Sequence, residues 1–161
     1  MRKVIFLDRD GVINEERGEH TFRQQDFRFI NGFFDSAKKF VKSGYELIII
    51  TNQSGITKGL YTNEELLNLH SWMLQEFAKN GLSVLEVFYC PHFTELGRCI
   101  CRKPNSNMLE RAIAKYKINT AKSYLIGDSQ RDIQAAEQVG VRGIKIEANS
   151  SLGLVEELIA L

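Results

Sequence analysis

Two aspartates one residue apart, Asp8 and Asp10, end the apolar run Val4-Ile5-Phe6-Leu7, and Gly11 follows them. Side chains alternate along an extended chain, so both carboxylates can face one reacting centre while Arg9 points elsewhere. Carboxylates this close repel unless a cation lies between them or one keeps its proton. Two chemistries are open to such a pair: a divalent metal site, or a nucleophile beside an acid. Gly11 lets the chain turn sharply after them.

Other segments carry groups suited to the same kind of centre. Leu47-Ile48-Ile49-Ile50 stops at Thr51-Asn52-Gln53-Ser54-Gly55, where a hydroxyl, side-chain amides and backbone N–H groups suit a phosphoryl oxygen. All three cysteines fall in Cys90-Pro91-His92 and Cys99-Ile100-Cys101. An odd number of cysteines fits a disulfide framework poorly, whereas three thiolates and the His92 imidazole fill a tetrahedral zinc shell with no open position, as in structural sites. Arg102-Lys103-Pro104 follows at once, so the metal fixes where two cations point. Lys103 is suited to neutralising the acids and a transferring phosphoryl group, and Arg102 to gripping a phosphate or carboxylate with two parallel bonds. Gly127-Asp128 ends another apolar run and offers a hard oxygen ligand for magnesium. Ser129 or Gln130 opens the next helix, and Asp132 falls in its first turn, as a capping acid or as support for the site.

Those groups need strands to deliver them. Strands are expected at Val4–Leu7, Leu47–Ile50, Val84–Tyr89, Ser123–Gly127 and Val141–Ile146. Helices are expected between them: one over Gly32–Ser43 burying Phe33, Phe34, Ala37, Phe40 and Val41, and one from the Thr62/Glu65 capping box to Gly81 burying Leu66, Leu69, Met73 and Phe77. His70 and Trp72 read as packing or surface residues. A third starts near Pro104–Ser106 and carries Met108, Leu109, Ala112, Ile113 and Tyr116; a fourth has Ile133, Ala136 and Val139 on its inner face; residues 151–161 close the chain. Residues 12–31 read as a long polar loop placed to close over a ligand. Regular strand–helix alternation gives an α/β fold, a doubly wound, Rossmann-like parallel sheet whose strand ends hold the ligand site.

At 161 residues, with 43% hydrophobic and 25% charged side chains, one domain over 1–161 is expected. With 21 basic and 20 acidic residues, no field favours nucleic acid or an anionic membrane. A cytoplasmic monomer is the expectation, since no leader or membrane-spanning run is present.

Together, Asp8-Arg9-Asp10-Gly11, Thr51-Asn52, Lys103-Pro104 and Gly127-Asp128 with Asp132 resemble the four motifs of the haloacid dehalogenase superfamily. The Cys/His loop ahead of Arg102-Lys103-Pro104, with Thr51-Asn52-Gln53-Ser54-Gly55, is similar to its histidinol-phosphate and heptose-bisphosphate phosphatase branch. The stretches 18–29 and 51–62 resemble the relatives acting on D-glycero-D-manno-heptose 1,7-bisphosphate more than those acting on histidinol phosphate, which remains the alternative with other small phosphomonoesters. The resemblance implies a phosphatase of lipopolysaccharide precursor metabolism, with Asp8 as nucleophile, Asp10 as proton donor and later base, and Thr51 and Lys103 stabilising the phosphoryl group. It implies magnesium at Asp8, the Asp10 backbone carbonyl and Asp128, and zinc at Cys90, His92, Cys99 and Cys101. Glu16, Arg17, Gly18 and Glu19, with Asn52, Gln53, Ser54 and Arg102, are implied to touch the sugar phosphate. The spacing of the motifs leaves no separate cap domain. In these relatives the residue after the magnesium aspartate is commonly Lys or Arg; here it is Ser129.

Overall fold

Four fully buried residues, Val4–Leu7, form β1, the middle strand of a five-stranded parallel sheet. The computed structural model describes residues 1–160. The other strands are β2 (Glu46–Asn52), β3 (Val84–Cys90), β4 (Tyr124–Gly127) and β5 (Arg142–Lys145), in the spatial order β3-β2-β1-β4-β5. β1 pairs with β2 on one side and β4 on the other, with Leu7 opposite both Ile49 and Ile126. Placing the first strand at the centre reverses the winding direction there, and such switch points open a crevice at the strand ends.

Side-chain alternation divides the core between the two faces of the sheet. Ile5, Leu7, Leu47 and Ile49 face α1 (Phe33–Lys42), α2 (Asn63–Lys79) and α5 (Gly153–Ile159) through Phe33, Phe40, Met73, Phe77 and Val155. Val4, Phe6, Ile48 and Ile50 face α3 (Asn107–Tyr116) and α4 (Gln130–Glu137) through Met108, Leu109, Ala135 and Ala136. The Thr62/Glu65 capping box is formed at α2, and a second one, Ser129 with Asp132, opens α4. No helix among the described residues is long and apolar enough to cross a membrane.

The structure corrects several expectations. Val41 is 39% exposed, because the stripe of α1 facing the sheet runs through Phe33, Ala37 and Phe40 and turns it outward. On α4, Asp132, Ala135 and Ala136 are the buried residues and Ile133 is half-buried, while Val139, just past the helix, packs half-buried against the core. The long segment after Gly11 is a packed strap: Val12, Ile13, Asn14, Thr21, Phe27 and Ile30 are buried, and Phe27 meets Trp72 edge-on at 5.4 Å. Its apolar residues lack strand or helix periodicity, which hid their burial. The closing helix is shorter than 151–161, and position 161 lies outside the described residues.

Gly127, the last residue of β4, sits where a Cβ would come within 2.3 Å of the Asp132 Cβ. The α4 cap therefore rests directly on the strand end. Gly127→Ala is expected to destabilise the protein by about 1–3 kcal/mol, the usual cost of overpacking, read as a lowered urea midpoint; an unchanged midpoint would contradict this contact.

Candidate active site

The carboxyl ends of β1, β2 and β4, with the turn after β3, converge on Asp8, Asp10, Lys103 and Asp128. Gly11 adopts φ 87°, and a Cβ there would lie 2.2 Å from Asp128 Oδ2, so glycine lets that carboxylate approach the first turn. Arg9 does not point away as expected. Its fully buried guanidinium curls back to donate to Asp10 Oδ1 at 2.8 Å and to the Thr21 carbonyl at 2.6 Å, with His70 Nε2 3.1 Å from its other nitrogen. Alternation fixes where a side chain leaves the backbone, and arginine is long enough to return.

Asp10 also accepts from Asn14 Nδ2 at 3.0 Å and from Gln53 Nε2 at 3.0 Å. Gln53 is aimed by Tyr61, whose hydroxyl donates to its Oε1 at 2.7 Å while its Nε2 also reaches Thr51 Oγ1 at 2.9 Å. Tyr61 packs flush on Gly55, where a Cβ would fall 2.1 Å from the ring. Burial works to raise the Asp10 pKa, but the Arg9 charge and the hydrogen bonds from Arg9, Asn14 and Gln53 outweigh it and hold Asp10 below the usual carboxylate range.

Asp8 lies in the opposite environment. Burial pushes its carboxyl up to about 7, with Asp132 and Asp128 adding to the rise and Lys103 opposing it. Lys103, 3% exposed, donates to Asp8 Oδ1 at 2.9 Å, the Ile50 carbonyl at 2.8 Å and Asp132 Oδ1 at 2.5 Å. Burial favours loss of its proton, yet the flanking Asp8 and Asp132 charges hold its pKa above the ordinary lysine value. Asn52 clamps its backbone with a reciprocal pair, accepting from Lys103 N at 3.0 Å and donating to Lys103 O at 3.1 Å.

These groups open into a cavity of about 520 Å³. Glu16, Gly18 and Glu19 line it, as do Asn52, Gln53, Ser54 and Arg102, whereas Arg17 turns to Glu19 and Asp26 at 3.1 and 3.2 Å and braces the loop. Thr51 lies beneath the cavity at 1% exposure. His20, Gln130, Arg131 and Lys145 line it too, and sequence reasoning did not select them. Burial, and next the Arg131 charge, lower the Arg102 pKa.

Two groups of side chains are close enough to hold a metal. Asp8, Asp128 and Asp132 each offer an oxygen within 4.8 Å of the others. Cys90, His92, Cys99 and Cys101 do the same: Cys101 Sγ is 2.9 Å from Cys90 Sγ and 3.2 Å from His92 Nδ1, and Cys99 Sγ is 3.7 Å from Cys90 Sγ.

A carboxylate pair at the end of the central strand, a buried lysine and a third acid gather at the topological switch point of the sheet, where α/β enzymes hold their ligands. The HAD-hyrolase-like family matches residues 100–151. D-glycero-beta-D-manno-heptose-1,7-bisphosphate 7-phosphatase of Vibrio cholerae is 39% identical over 97% of this chain and 86% of its own length. D-glycero-alpha-D-manno-heptose-1,7-bisphosphate 7-phosphatase of Photorhabdus laumondii is 41% identical over 86% of this chain and 79% of its own length. The solved D,D-heptose 1,7-bisphosphate phosphatase of B. bronchiseptica, complexed with magnesium and phosphate, superposes with a TM-score of 0.81 at 33% identity, over 88% of this chain and 78% of that one. The chain belongs to the haloacid dehalogenase superfamily, in its heptose-bisphosphate phosphatase branch.

His70, buried on α2, has its pKa lowered to about 3 by burial and then by Arg9. The unfolded imidazole titrates near 6.5, so below that pH the unfolded chain binds the extra proton and stability falls as pH drops toward 3. At pH 4.5 this one group should cost about 2–3 kcal/mol relative to pH 7.5. His70→Gln keeps an acceptor for Arg9 and should lose that much less stability between the two pH values in urea titrations. Equal losses in both proteins would show that His70 is not a buried neutral base.

Proposed function

We propose that the protein removes the 7-phosphate of D-glycero-D-manno-heptose 1,7-bisphosphate as a phosphoric monoester hydrolase, within the single domain 1–161. The observation that carries this reading is the opposite treatment of two acids two residues apart, in a chain similar over nearly its whole length to phosphatases of that specificity. Asp8 attacks phosphorus as the bond to the sugar oxygen breaks, leaving an aspartyl-phosphate. Asp10, protonated from solvent as the substrate enters, gives that proton to the departing alkoxide, then takes one from the water that attacks phosphorus as the Asp8–phosphorus bond breaks, freeing phosphate, restoring Asp8 and returning the proton to solvent. The ionised resting state of Asp10 fits its duty as base, and the entering dianion raises its pKa for its duty as acid. Lys103 and Thr51 offset charge on the phosphoryl oxygens, which is most of what phosphoryl transfer asks of a protein.

Crowded acids with raised pKa values form the donor set expected for a hard divalent cation. Asp8, the Asp10 backbone carbonyl and Asp128 are the proposed magnesium ligands; bound there, magnesium supplies positive charge to the phosphoryl oxygens and keeps Asp8 ionised at neutral pH. Asp132 is taken up by Lys103 and by the α4 cap. The three thiols and imidazole suit zinc with no position left for water. Zinc there orders the loop carrying Arg102 and Lys103. Glu16, Gly18, Glu19, Asn52, Gln53 and Ser54, which line the cavity, are the proposed substrate contacts, and Arg17 supports the loop that carries Glu16–Glu19.

Phosphate release measured with magnesium on both anomers of the heptose bisphosphate, histidinol phosphate and a monophosphate panel tests the substrate. The heptose bisphosphate should give the highest kcat/KM, and a preference for histidinol phosphate would replace this reading. Asp8→Asn should lower turnover by roughly 10,000-fold or more while leaving the fold intact; appreciable residual activity would rule out Asp8 as nucleophile. Metal analysis should find about one zinc per chain, as four ligands require, and Cys99→Ser should lose it. Retention of zinc by that variant would refute the four-ligand site.

A further inference from the structure

The wall between the catalytic cavity and a neighbouring cleft is built of cations. Arg102, Lys103 and Arg131 line both spaces. The cleft, about 460 Å³ beneath the Cys/His loop, also meets Arg98 and has no carboxylate among its lining residues. Lys103 is fully engaged by Asp8, Asp132 and the Ile50 carbonyl. Arg102 and Arg131 are not. Arg102 reaches only the His92 carbonyl, at 3.5 Å, and Arg131 Nε reaches only the Ser129 hydroxyl, at 3.4 Å. Among the described residues neither guanidinium pairs with a carboxylate.

Two further costs fall on this arrangement. The two guanidiniums share the lining of both spaces without a carboxylate partner for either, and Arg131 stands in the first turn of α4, the positive end of the helix dipole, where a cation is disfavoured. Both costs are relieved by one ligand: an anion with several oxygens between the two forks. The reacting phosphoryl group belongs at Asp8 and Lys103, so it is not that anion. Glu16 and Glu19, on the other lining segment, repel a phosphate and suit sugar hydroxyls instead.

We infer that Arg131, acting with Arg102 across this wall, binds the second, non-reacting phosphate of the substrate and sets the preference for a sugar bisphosphate over a monophosphate. The inference rests on the bisphosphatase reading above. Position 129 next to Asp128 is an uncharged helix cap, so on this helix the cation facing the cavity comes from two residues further along. Lys145 also lines the cavity but not the cleft, and is the competing cation.

The test is the ratio of kcat/KM for the heptose 1,7-bisphosphate to that for the heptose 7-phosphate, in the magnesium-loaded wild-type protein and in Arg131→Gln, Arg131→Lys and Lys145→Gln. Arg131→Gln should lower the ratio about 10- to 100-fold, as expected for one charged hydrogen-bonding group, with most of the change in KM for the bisphosphate. Arg131→Lys should recover part of it. Equal losses on both substrates, an unchanged ratio in Arg131→Gln, or collapse of the ratio in Lys145→Gln instead would each overturn the assignment. A wild-type protein that hydrolyses the bisphosphate without preferring it also overturns the assignment, but leaves the phosphatase reading standing; one that does not hydrolyse it removes both.

Discussion

One buried ammonium holds the site together. Lys103 is almost wholly removed from water and has three acceptors for its three protons, supplied by Asp8 just past β1, by β2 and by α4. A charge in that position is tolerable only while each partner stays in place, since removing one partner of a buried pair costs about 3–5 kcal/mol. The surroundings read as means to that end. Asn52 grips the lysine backbone from β2, and the Cys/His cluster ends two residues before it. A loop with few apolar residues cannot fix a lysine by packing, and this loop instead brings four side chains close enough to hold a metal.

With Lys103 committed to Asp8, Asp10 needs a cation of its own, and Arg9 provides it from between the two acids. The consequence is a division of labour set by surroundings alone. Asp8 faces other carboxylates in a buried space and is pushed up, while Asp10 collects donors and is held down. The donors are themselves held from behind: His70 meets Arg9, and Tyr61 orients Gln53. Helix α2 and the turn before it thus reach Asp10 through two separate side chains.

How much of this could be read from the sequence depended on whether a residue's role is local. The strand ends, the lysine and the metal-ligand spacing were legible because an apolar run that stops at polar residues carries its own direction and place. The Thr62/Glu65 capping box was legible for the same reason, whereas at α4 the sequence left the cap between Ser129 and Gln130. Arg9, His70 and Tyr61 were not. A histidine on the apolar stripe of a helix looks like packing until its partner sixty residues away is known, and nothing near Tyr61 announces that its hydroxyl fixes an amide. The strap after Gly11 was misread as open loop because its buried residues obey the shape of the surface beneath them and not a backbone period.

Asp132 shows how a local rule and a site can share one side chain. One of its oxygens accepts from the Ser129 backbone and closes the α4 cap; the other accepts from Lys103. Serine at position 129 completes that cap with its hydroxyl, which a lysine or arginine cannot do as well. A cap-favouring residue beside Asp128 strengthens the helix end on which Asp132 depends, but leaves that position neutral. On that first turn the cation that lines the cavity is Arg131. Ser129 and Arg131 thereby divide the first turn between them: one closes the cap on which Asp132, and through it the buried lysine, depends, and the other faces the cavity.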